Sequence, residues 1–120
     1  MHERRKAKRR NLSYYMPVLD PKSEEILGHL VDITAQGIMM DSQKIYPLNK
    51  DFRLRMNVTA DVADKSSIDF IARTKWCRPD SIEPYLYDIG FEIIKISNED
   101  AGVIKRIVDK YGSRDSSSFS

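Results

Sequence analysis

The sequence is poor in the residues that usually carry chemistry. Its 120 residues include one cysteine, Cys77, and two histidines, His2 and His29. A lone thiol closes no internal disulfide, which fits a cytoplasmic protein. With so few soft or imidazole ligands, neither a zinc cluster nor a Cys/His nucleophile pair can be assembled. There is no P-loop, and Gly28 and Gly37 make no GxGxxG fingerprint. Acidic residues are plentiful but scattered. These absences argue against an enzyme and against any resident metal or cofactor. No apolar run approaches the ~18 residues of a membrane span, so no membrane insertion is expected. The N-terminal stretch MHERRKAKRR has no apolar segment behind its charges, so no secretory signal is expected either.

What is present is ordinary for one folded domain: 41% apolar and 32% charged residues. The formal charge of +2 conceals an asymmetry. Arg4, Arg5, Lys6, Lys8, Arg9 and Arg10 oppose only Glu3 near the N-terminus, a segment of +5. The rest holds 14 basic and 17 acidic residues, hence −3. A basic arm on an acidic body points to an anionic partner for the arm, or to a solvated tail.

Beyond the arm the pattern is that of strands. Tyr14, Met16 and Val18 share a face through Tyr14–Leu19, and Asp20-Pro21-Lys22-Ser23 reads as a turn. Further strands are expected at Ile26–Ile33, Ile38–Met40, Phe52–Val58, Ile68–Cys77 and Tyr85–Ile96. The segment 52–58 alternates strictly, with Arg53 and Arg55 on its wet face. His29 is expected on an exposed strand face, Trp76 in the core, and Thr59–Ser67 as a neutral loop. Short strands without intervening helices indicate an antiparallel sandwich or barrel.

The end of the chain changes period. Ser97 is placed to cap a helix, with Asp100 at the third position able to meet a free backbone amide. Val103, Ile104, Ile107, Val108 and Tyr111 then form one apolar stripe, and Gly112 is expected to end the helix in a left-handed conformation. The domain plan is a flexible basic arm at 1–11, a barrel at 12–96, a helix at 97–112 and a disordered tail at 113–120.

Two features stand above this background. Arg5 and Arg9 are four residues apart in the arm, and arginine bonds phosphate bidentately and stacks on purines. Asp32-Ile33-Thr34-Ala35-Gln36-Gly37 lies at a strand end. Asp32 can accept from a guanine N–H edge or orient an arm arginine, Thr34 offers a hydroxyl to a phosphate, and Gly37 permits a tight turn or close approach. Taken alone, the same segment is a β-turn held by an Asp or Thr side-chain bond.

In this order and separation the two features resemble the PilZ family of bacterial cyclic di-GMP receptors, whose pattern is RxxxR in an arm and then [DN]xSxxG after the second barrel strand. Ala72–Trp76 and Tyr87–Glu92 are similar to the family's late strands. The resemblance implies an all-β fold, a six-stranded antiparallel β-barrel with a C-terminal α-helix packed on it. It implies a ligand, cyclic di-GMP, met by Arg5, Arg9, Asp32, Thr34 and Gly37, with Arg4 and Arg10 able to assist or substitute. It further implies a non-catalytic effector whose arm orders on binding and signals to a downstream protein. Thr34 departs from the family's serine: the hydroxyl survives, while the methyl restricts χ1. Two alternatives stand beside this reading. One is a barrel adaptor that binds protein but no nucleotide. The other is a nucleic-acid binder using the arm, disfavoured by the acidic body and by the absence of aromatics interleaved with the basic residues.

Overall fold

The computed structural model describes residues 14–112; the arm at 1–11 and the tail at 113–120 lie outside them. The described residues form six strands and one helix: β1 (Pro17–Leu19), β2 (Ile26–Ile33), β3 (Gly37–Ser42), β4 (Asp51–Asn57), β5 (Ser67–Pro79), β6 (Tyr87–Lys95) and α1 (Asn98–Tyr111). All pairings are antiparallel, in the order β1-β2-β3-β6-β5-β4. The circle closes where Val18 and Leu19 of β1 pair with Met56 and Arg55 of β4. Closure removes the exposed edges that a small open sheet would present.

Alternation fills the interior. Val18, Leu30, Met40, Leu54, Met56, Ile68, Phe70, Ala72, Ile89 and Phe91 point inward and are buried. The helical stripe of Val103, Ile104 and Ile107 joins the same core. So do Val62 and Ala63 of the loop 59–67. This loop is a packed piece of the domain. Its Val62 carbonyl accepts from Arg106 Nε at 2.6 Å, and Thr59 N donates to the Tyr14 hydroxyl at 2.8 Å.

Several expected boundaries move. The first strand shortens to three residues, with Tyr14 packed against Tyr111 at 4.6 Å between ring centroids. The last strand begins at Tyr87, because Asp80 accepts from Ile82 N and Glu83 N and holds the preceding segment as a loop that leaves Tyr85 exposed. Gly112 is extended (φ −68°, ψ 163°), contrary to the left-handed cap expected of it. Its N–H meets the Val108 carbonyl at 2.9 Å, and an added Cβ would lie 2.5 Å from that oxygen. Close approach, and not backbone handedness, is what requires glycine there.

Candidate functional site

The site begins at the β2–β3 connection. Thr34 N donates to Gly37 O at 2.9 Å, and Thr34 Oγ1 accepts from Gln36 N and Gly37 N, both at 3.2 Å. The turn is therefore pinned by the threonine at both ends. The oxygen serves twice as acceptor, and its hydroxyl hydrogen is still available as a donor. At Gly37 an added Cβ would lie 2.3 Å from the Phe91 carbonyl oxygen, so only glycine lets β3 approach β6 here.

Two β-bulges shape the wall beside this turn. In β2 the register shifts between Leu30 and Asp32. Leu30 faces the core opposite Met40, and period two would also turn Asp32 inward. The extra residue, Val31, turns Asp32 to the outer face, opposite Met39. In β5 a second shift lies between Thr74 and Trp76. Thr74 points inward opposite Phe91, and the extra Lys75 turns Trp76 outward, opposite Gly90. Trp76 is thus not the core residue that alternation suggests. Its ring packs directly over Gly90, where an added Cβ would meet it at 2.3 Å.

The two bulges align Asp32, Met39, Gly90 and Trp76 in one outward row across four strands. Between the turn and Trp76 lies a groove of about 610 Å³. Thr34 and Gly37 line it on one side, Lys75, Trp76 and Glu92 on the other, and Val108 of α1 at its end. The Lys75 ammonium stands 3.4 Å from Glu92, and the Arg78 guanidinium lies over the Trp76 ring, 4.2 Å from its centroid. One ring face therefore carries a cation.

Asp32 does not line the groove; it precedes Ile33, which does, on β2 and is 8% exposed. Burial pushes its carboxyl up to about 6, against the opposing pull of the Ile33 N–H, which donates to Oδ1 at 3.0 Å. His29, expected on an exposed face, is half-buried beneath Tyr15, with the rings stacked at 4.7 Å and 8°. The structure thus brings Thr34 and Gly37 into one groove and places Asp32 beside it. Arg4, Arg5, Arg9 and Arg10 fall outside the described residues. Lys75, Trp76 and Glu92 are groove residues that sequence reasoning did not assign. The only signal for them was the resemblance of their segments to late strands.

The profile of the family described as PilZ domain matches residues 3–110. The chain belongs to the PilZ domain family. The matched span reaches from the basic arm almost to the end of α1, so it includes both the RxxxR run and the Asp32–Gly37 turn of this PilZ domain. No match is found among curated proteins or among solved structures.

Proposed function

We propose that this PilZ domain is a non-catalytic cytoplasmic receptor that binds cyclic di-GMP in the groove between the Thr34 turn and Trp76. The observation that carries the proposal is the groove itself. It has a size suited to a small ligand and is lined by Thr34, Lys75 and Trp76, with the carboxylate of Asp32 beside it on β2. In this reading Thr34 donates to a phosphate oxygen. Asp32 accepts from a guanine N–H edge or braces an arm guanidinium, and Gly37 keeps the turn close to β6. Arg5 and Arg9 pair with phosphates and stack on the bases. A base stacks on the Trp76 face only where Arg78 swings away. Ligand binding orders the arm over the barrel and creates a surface for a downstream protein, a disorder-to-order switch.

Isothermal titration with cyclic di-GMP tests this directly. At about 100 μM protein, binding heat is expected for any affinity near or tighter than that concentration. Folded protein that gives no heat overturns the proposal. Arg9→Ala removes charged hydrogen bonds, and its expected cost is roughly 1.5–3 kcal/mol of binding. An affinity indifferent to both Arg5→Ala and Arg9→Ala would put the site elsewhere.

A further inference from the structure

The groove holds one charge of each sign. Among the described residues that line it, Lys75 is the one cation and Glu92 the one carboxylate. Asp32, beside it on β2, is not part of the lining. Lys75 and Glu92 are paired with each other, Nζ to Oε1 at 3.4 Å, and each side chain is about half exposed. A pair so open to water gains little from its attraction, so a ligand that offers both groups a partner can open it at small cost.

The strands fix where Glu92 stands. Phe91 is a core residue, so alternation turns Glu92 outward. Its register partner on β3 is Gly37, which has no side chain to cover it. Its register partner on β5 is Arg73, and that guanidinium is already held by both oxygens of Asp51, at 2.7 and 3.3 Å. Glu92 is left with Lys75, which engages Oε1, and a carboxylate with two oxygens has further acceptor sites.

We infer that Glu92 is the residue by which the groove tells guanine from adenine and that Lys75 is a phosphate contact, an assignment that rests on the nucleotide reading above. The chemistry is an exchange of partners. Guanine presents two donors side by side, N1–H and the exocyclic N2–H, and a carboxylate accepts both, one on each oxygen. At the same edge adenine presents one donor and the lone pair of N1, which meets a carboxylate as a second acceptor. The ammonium released by Glu92 takes a phosphate oxygen, from the side of the groove opposite Thr34. A ligand with both an anion and a two-donor edge satisfies each member of the pair it opens; a phosphate alone leaves Glu92 unpaired beside it. Glu92 is thereby a specificity-determining residue, and Lys75 adds affinity without base preference.

The test is calorimetric titration of cyclic di-GMP and cyclic di-AMP into the wild-type protein, Glu92→Gln, Lys75→Gln and Asp32→Asn, each shown folded by circular dichroism. The readout is the ratio of the two affinities, because removing a charge from the groove alters its attraction for any phosphate. The wild-type protein is expected to prefer the guanine ligand. Glu92→Gln replaces one acceptor with a donor, which suits adenine and opposes a guanine N–H, so the preference should shrink by about tenfold or more. Lys75→Gln should weaken both ligands by a similar factor, about tenfold at low salt, and leave their ratio in place. A ratio unchanged in Glu92→Gln overturns the assignment while the receptor reading stands, and so does a ratio that collapses in Asp32→Asn alone. Wild-type protein that binds both ligands equally also overturns the assignment only. Wild-type protein that binds neither overturns the receptor reading, and the assignment with it.

Discussion

At the residue scale, Asp32 carries the clearest pH signature. Its pKa in the folded protein is raised to about 6 from an ordinary 3.8, so the folded state holds the proton more tightly than the unfolded chain. Stability therefore falls as pH rises from about 4 to about 6, and Asp32→Asn should flatten that slope and leave the protein more stable at pH 7. Denaturant midpoints measured across pH for both proteins check it. Ligand binding has the opposite sign if the ionised carboxylate accepts from the ligand or braces an arginine. Affinity for cyclic di-GMP should then weaken as pH drops below 6, by at most about tenfold per unit. Titration calorimetry at pH 5 and 7 reads this out, and Asp32→Asn should abolish the difference. Thr34 has a double role. Thr34→Ser keeps the acceptor of two turn amides and should fold normally, whereas Thr34→Ala removes it and should cost about 1 kcal/mol by denaturation.

At the element scale the bulges and the helix cap are informative. The bulge at Lys75 places the sole tryptophan over Gly90, so Gly90→Ala must displace the Trp76 ring. A changed tryptophan emission is expected, with the barrel still folded; an unchanged spectrum would contradict the packing. In α1, Ser97 Oγ accepts from Asp100 N at 3.1 Å, as its spacing suggests. The carboxylate of Asp100 goes elsewhere, accepting from Lys65 Nζ at 2.8 Å and from Asp69 N on β5 at 3.3 Å. Half of the anticipated capping box has become a tether between helix and barrel. Ser97→Ala should cost about 1 kcal/mol, and Ile104→Ala, which opens a cavity in the shared core, about 2–5 kcal/mol. Thermal or denaturant unfolding distinguishes the two by size.

At the scale of the whole molecule, barrel and helix meet beside the groove. The groove touches Val108 of α1, while Tyr14, next to the arm, stacks on Tyr111 at the other end of the same helical turn. A ligand in the groove would therefore meet α1 directly at Val108. Binding should also stabilise the fold by mass action, about 2.7 kcal/mol at a ligand concentration 100 times Kd, visible as a concentration-dependent rise in melting temperature.

Much of this architecture was legible beforehand because its signals are local. Alternation over 52–58 and the 3.6-residue stripe of α1 depend only on neighbours along the chain, and both elements form, the strand one residue earlier at each end than read. The ordered RxxxR and Asp32–Gly37 runs were also visible, and with them the family. Where reading failed, the cause was a long-range pairing. Trp76 and the β-bulge before it depend on the register between β5 and β6, which one inserted residue reverses. Val62 and Ala63 are short apolar residues in a polar segment, and only packing with residues distant in the chain made them core. Sequence alone determined the elements, the charge split between arm and body, and the Thr34 turn, since each is set by residues adjacent in the chain. Tertiary structure alone decided which side chains share an outer row, because that depends on strands brought together from opposite ends of the sequence.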